Sequence, residues 1–368
     1  MDKPMKRQSL NFFVGLLCSL LVVSTLGRIT IEKAQFPQLK RFWTMQSPAV
    51  NFFPTARQVT AWAVQQVGID QKIIVIGGSS VLLGNGQKVS QTVSANLQKL
   101  LGNDYLVLNL AVRGGASFGQ GFYVASFLKS QGYDVTYISE MNPGYLPPVQ
   151  NNPPYEYFFW QAIQAGLIPK ENLLVTKISP KIYTKENIMA WINNRLYFME
   201  LANYVSYNVI NLNHSQTAGE IWLQPLNKYP DNEIVVPYKD RHMNIDLERA
   251  FQERVTAVAR INLTTKQLQE TALGYEKYFE VNGLLNSVMM LCKDDPRYIS
   301  NLNLGDKKNY FNNIYRQMNA FAEIGLKTAF LCSELDDSDY ADVAHLSPSG
   351  AKKVALKLFE LLRMEDKN

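Results

Sequence analysis

The sequence predicts an α/β fold built on a parallel sheet, and three observations carry that expectation. Short apolar or β-branched runs alternate with stretches of helical spacing. The early runs stop at glycines or at a Pro-Gly pair, and the alternation returns late in the chain after a long interruption.

The elements follow in order. Residues 28–70 read as a polar, proline-containing connection that becomes helical at ARQVTAWAVQQVG. Lys72-Ile73-Ile74-Val75-Ile76 has the form of a strand buried on both faces, ended by Gly77-Gly78. Helical spacing runs from Val89 to Leu101, and a second strand from Tyr105 to Leu110 stops at Arg113-Gly114-Gly115. A helix over 119–131 precedes a third strand, Asp134 to Ile138, which leads into Glu140-Met141-Asn142-Pro143-Gly144. The pattern resumes with one long helical stretch over 246–280 and an apolar run from Leu285 to Cys292. A helix over 308–324, a strand from Lys327 to Cys332 and an amphipathic helix from Pro348 to Arg363 complete it. Pro348 suits the first turn of that last helix.

Between the halves, 151–245 breaks the alternation with a proline-rich entry and aromatic helical segments at Tyr155 to Ala165 and Asn187 to Val209. It reads as a helical insertion or lid. Its aromatics, Tyr157, Phe158, Phe159, Trp160, Trp191, Tyr197, Phe198 and Tyr204, either form the insertion's own small core or face a membrane surface or acyl chain. The expected divisions are a basic leader (1–9), an apolar segment (10–27), the connection (28–70), a first sheet half (71–150), the insertion (151–245) and a second sheet half (246–368).

Leu10 to Gly27 carries no charge and follows Lys3, Lys6 and Arg7. Eighteen helical residues span about 27 Å, close to the hydrocarbon thickness of a bilayer. The run is long for the apolar part of a signal peptide, which favours a retained single-pass anchor. Thr25 and Gly27 are nonetheless small enough for cleavage after Gly27, which would give a secreted protein. The basic leader argues for an inside N-terminus and an exported body, although Arg28, Lys33, Lys40 and Arg41 on the other side blunt the charge asymmetry. The net charge of +5 is spread without a long basic run, which argues against nucleic acid as a partner. Cys292 and Cys332 each end an apolar run and read at least as readily as two buried thiols as they do as a disulfide. No C-x-x-C, H-x-H or H-E-x-x-H occurs, so no metal site is expected.

The chemistry concentrates at the strand ends, where parallel sheets bind ligands. Gly78-Ser79-Ser80 follows the first strand, Asn109 to Gly114 the second and Asn142 the third, and Asp342-Val343-Ala344-His345 precedes the last helix. A serine nucleophile needs a base, the base needs an orienting group, and a tetrahedral intermediate needs donors aimed at its oxyanion. These parts occur in one order. His214 and His242 sit in polar, loop-like contexts and read as surface histidines.

These four blocks resemble those of the SGNH (GDSL-type) hydrolase family, over about 72–145 and 285–364. The resemblance implies a three-layer α/β/α fold of flavodoxin-like topology. It implies Ser80 as nucleophile, with Ser79 as the rival, His345 as general base and Asp342 as its orienting carboxylate. The oxyanion hole would be the Ser80 and Gly114 amides with the Asn142 side chain. Beside that site, Ser79, Arg113 and Glu140 are candidate substrate contacts; Arg113 reads equally as half of a structural ion pair, and Glu140 as the partner of a neighbouring base. No cofactor is implied. Two departures stand out: Ser79 replaces the usual Asp before the serine, and Glu140-Met141-Asn142-Pro143 replaces the usual G-x-N-D. The G-S-S form is similar to membrane-anchored members that act in envelope or polysaccharide acyl transfer. The expectation is therefore a serine esterase or O-acyltransferase on acylated envelope carbohydrate or small molecules. The alternative is a non-catalytic anchored protein that binds polysaccharide or an assembly complex.

Overall fold

The structure, a computed structural model, describes residues 3–32, 56–68, 70–78, 80–84, 87–111, 120–141, 167, 197, 201 and 245–365. Most of the 151–245 insertion, including both of its expected helical segments save Tyr197 and Leu201, lies outside the described residues, as do His214 and His242.

The chain forms a helix-rich α/β body around a parallel five-stranded sheet: β1 (Lys72–Ile76), β2 (Tyr105–Asn109), β3 (Val135–Met141), β4 (Val288–Leu291) and β5 (Lys327–Phe330). The order is β2-β1-β3-β4-β5, so β2 and β3 flank β1 and the chain reverses its direction of travel there. At such a switch point the two flanking crossovers leave to opposite faces and open a crevice beyond the strands' carboxyl ends. β1 is interior to the sheet and continuous in Ile and Val because both of its faces are covered. Ile73, Ile74, Val75 and Ile76 are buried, and each such side chain stabilises the fold by about 1.5–3 kcal/mol.

Helices α2 (Ala56–Gln66), α3 (Ser80–Leu83), α4 (Val93–Leu101) and α5 (Gln120–Ser130) accompany the first half. The second half adds α6 (Ile245–Arg260), α7 (Thr265–Val281), α8 (Pro296–Ser300), α9 (Leu304–Glu323) and α10 (Pro348–Glu365). α4 and α10 pack together beside β2, while α5 lies over β1 and β3 and α9 lies against β5, α6 and α7. An aromatic cluster fills the space under α5. Phe122 stacks on Tyr278 at 5.0 Å between ring centroids and meets Tyr137 and Phe279 edge-on at 5.5 and 5.3 Å, geometries the ring quadrupole favours.

Several elements differ from expectation for local reasons. The helical pattern over 246–280 is two helices, because Thr264 caps α7. Its hydroxyl accepts from the Gln267 amide at 3.2 Å, and the Gln267 side chain accepts from the Thr264 amide at 2.9 Å. Helical spacing from Val89 likewise begins as a single 3₁₀ turn (Val89–Gln91), with α4 starting after the cap residue Thr92. β3 continues past Ile138 to Met141, where Glu140 pairs in register with Met290. β4 (Val288–Leu291) occupies only the latter part of the apolar run from Leu285 to Cys292.

Cys292 and Cys332 form a disulfide that links the chain just beyond β4 to the chain just beyond β5, with Cα atoms 4.7 Å apart. The apolar N-terminal segment lies in α1 (Lys3–Glu32), whose Leu10–Ile29 stretch is long and apolar enough to cross a membrane. Its large side chains are mostly exposed, but Gly27 is buried, and a Cβ there would lie 2.9 Å from the Tyr197 Cβ. Tyr197, one of the insertion's aromatics, is thus packed against α1, with the Arg57 guanidinium of α2 4.7 Å above its ring.

Candidate active site

The D-x-x-H segment forms a closed unit. Asp342 Oδ1 accepts the amides of Ala344 at 3.0 Å and His345 at 2.8 Å, which folds the chain back so that the imidazole meets the same carboxylate. His345 Nδ1 lies 2.8 and 2.7 Å from the two Asp342 oxygens. A proton on Nδ1 satisfies the carboxylate, which assigns Nε2 as the basic nitrogen. The His345 side chain keeps 17% of its surface exposed while Asp342 keeps 2%, so the imidazole reaches solvent from a buried carboxylate. Burial acts to raise the Asp342 carboxyl, but its hydrogen bond to His345, the imidazole charge and the two amides outweigh that. They hold it below the usual carboxylate range.

The strand ends hold this unit from outside. The Asp295 amide, beyond β4, donates to Val343 O at 2.7 Å, and the Tyr340 hydroxyl donates to Lys293 O at 2.9 Å. Ala341 N donates to His345 O at 2.7 Å, and Tyr340 bridges Leu346 in antiparallel fashion. Buried Asp339 accepts from Lys353 Nζ at 2.6 Å and from Ser349 Oγ at 2.7 Å, which fastens the loop to the first turns of α10. Burial acts to raise Asp339, yet Lys353, Ser349 and the Asp336 amide hold it low. Asp294, fully enclosed, accepts from the Tyr310 hydroxyl at 2.9 Å and meets Arg254 at 3.1 Å. Burial raises its carboxyl despite both partners.

On the β1 side, Gly78 has φ 87°, and a Cβ there would lie 2.8 Å from the Glu140 amide nitrogen. Only glycine both adopts that conformation freely and lets the β1 end pass so close to β3. Ser80 begins α3 directly after this turn. Asn109, at the end of β2, steadies the helix: its Nδ2 donates to Leu82 O at 3.2 Å and Ser94 Oγ at 3.0 Å, and its Oδ1 accepts from Ala111 N at 3.3 Å. Glu140 is buried at the end of β3, on the strand that flanks the Gly78 turn.

One residue that the sequence reading missed joins the two sides. Gln87 is buried, and its Nε2 donates to Leu346 O at 2.5 Å and Ser347 O at 3.2 Å. It follows the Ser80 turn, and its amide donates to Gly84 O at 3.1 Å. Nothing local marks it, because its acceptors are backbone carbonyls 259 and 260 residues away.

The structure therefore joins Asp342 to His345 directly, places the backbone of Ser80 just beyond β1, and places Glu140 near the end of the neighbouring β3. Ser79, Arg113, Gly114, Asn142 and the Ser80 side chain lie outside the described residues. Among the described residues, no cluster of histidine, cysteine and carboxylate side chains has the form of a metal site. No protein-family model matches the chain, and neither a curated protein nor a solved structure matches it.

Proposed function

We propose that this chain is a membrane-anchored serine esterase or O-acyltransferase of the SGNH type, acting on acylated carbohydrate of the cell envelope. The observation that carries the reading is the buried Asp342 carboxylate holding His345 Nδ1 at 2.7 Å, on a loop fastened to the turn that follows Ser80.

In this reading Ser80 Oγ attacks the ester carbonyl carbon while His345 Nε2 takes its proton. The Asp342 carboxylate stabilises the imidazolium that results and fixes its tautomer. The tetrahedral oxyanion is met by the Ser80 and Gly114 amides and the Asn142 side chain. The imidazolium then protonates the leaving alcohol as the carbonyl reforms, giving an acyl-serine. Water resolves it to the acid, or a sugar hydroxyl takes the acyl group, with His345 again accepting the attacking proton. Neither route draws on an organic cofactor.

The envelope assignment rests on two further observations. α1 is long and apolar enough to span a bilayer, and the Cys292–Cys332 disulfide suits an oxidising compartment beyond the cytoplasmic membrane.

Labelling with a fluorophosphonate probe tests the reading. Wild type should label, and Ser80→Ala should abolish labelling while the circular dichroism spectrum is unchanged. A folded wild type that stays unlabelled beside a reactive serine esterase favours the non-catalytic binding protein. Labelling that survives Ser80→Ala moves the nucleophile elsewhere.

A further inference from the structure

We propose that Gln87 is the positioning residue that sets the separation of nucleophile and base; the inference rests on the serine-enzyme reading above. Two contacts of one side-chain amide carry it. The donations to Leu346 O and Ser347 O reach the two residues that directly follow His345, and Gln87 itself is tied back to the Ser80 turn through Gly84 O.

The geometry makes this link different in kind from the others around the site. Asp342 orients the imidazole within its own loop, and Asp295 and Tyr340 tie that loop to the β4 end. Neither set fixes where the loop stands relative to α3. Gln87 runs from the α3 turn to the Leu346-Ser347 segment that leaves the histidine, and its burial removes water as a competing partner for the two carbonyls. A serine and its base must stay within hydrogen-bond reach, and a displacement near 1 Å costs about a hundredfold in rate. An amide also suits the place chemically. It donates two protons to two carbonyl oxygens and adds no net charge beside the base, where a lysine or arginine would disfavour the imidazolium.

The test uses the full-length chain in detergent micelles and the rate constant for fluorophosphonate labelling, with p-nitrophenyl acetate hydrolysis as a second readout. Gln87→Met keeps length and burial but donates nothing. It should slow labelling about 30- to 100-fold and lower kcat with little change in KM. The low-field proton resonance of His345 Nδ1 should persist, because the Asp342 contact is local. Gln87→Glu supplies a carboxylate facing two carbonyls, which is repulsive until the carboxyl is protonated and becomes a donor. Its labelling rate relative to wild type should rise as pH falls from 8 to 5.5, a dependence that lost packing does not produce. The inference is overturned if Gln87→Met retains the resonance and labels within twofold of wild type. Where Gln87→Met fails to fold, a flat Gln87→Glu ratio across that pH range overturns it. A folded wild type that never labels removes the serine-enzyme reading itself, and this inference with it.

Discussion

The two sides of the candidate site are built from different materials. The base side, from β4 to α10, is held by charge: Asp342 on His345, Asp339 on Lys353, Asp294 on Arg254, and a disulfide across the strand ends. On the side of Ser80, the proposed nucleophile, the links described above come from neutral groups: Gly78 for the turn, Asn109 for the end of α3 and Gln87 for the crossing, with the buried Glu140 of β3 beside them. The division has a physical sense. A base that becomes an imidazolium gains from a fixed carboxylate. Beside the proposed nucleophile, the amides of Asn109 and Gln87 hold geometry without adding charge of their own.

The largest expected effect comes from neutralising the charged side at its centre. Asp342→Asn should lower the fluorophosphonate labelling rate roughly ten-thousand-fold while the protein stays folded, since an amide in that position stabilises the wrong imidazole tautomer. A folded Asp342→Asn protein that labels within tenfold of wild type would remove the orienting role.

Next in size is the disulfide. Its cysteines are 40 residues apart, and the loop-closure relation gives a contribution of about 4 kcal/mol. Replacing both cysteines by serine should lower the free energy of unfolding in guanidinium by that order. An unchanged midpoint would show that the strand ends are held by packing alone. The smallest effect is the response to acid. Asp342 and Asp339 both titrate below the usual carboxylate value when folded. Their contribution is therefore fully present above about pH 4 and is lost as pH falls through the lowered folded values. The melting midpoint of wild type should decline over that interval, and Asp339→Asn should flatten the decline. Equal slopes would mean that the Lys353 pair adds nothing to the stability of the loop.

Much of the sheet was legible because burial on both faces leaves a continuous apolar run. Lys72 to Ile76 coincides with β1, and the Lys327 run begins where β5 begins. β3 was cut short because Ser139 and Glu140 end its apolar run, although the ladder to β4 keeps them in the strand. The division of 246–280 had a local signal, since Thr264-Thr265-Lys266-Gln267 has the spacing of a capping box. The bonding of Cys292 to Cys332 had none, because two cysteines that each end an apolar run read as buried thiols or as a disulfide until the strands are placed side by side. Asp342 and His345 were legible as a pair because their contact is local and made by residue types suited to it. Gln87 was not, since a glutamine that serves distant backbone carbonyls leaves no pattern in its own neighbourhood.

The packing of Gly27 against Tyr197 bears on where the body can go. A domain on a slack leader sweeps a hemisphere above the bilayer and meets substrate at any height the leader reaches. Here the apolar helix is seated on the body through Gly27, Tyr197 and α2, so a bilayer around α1, where that helix is retained as an anchor, would set the body's height and tilt. The accessible volume would then shrink to a thin layer at the lipid surface. On the acyl-transfer reading proposed above, acyl groups in that layer would meet the site by lateral diffusion, and those beyond it would have to be carried in.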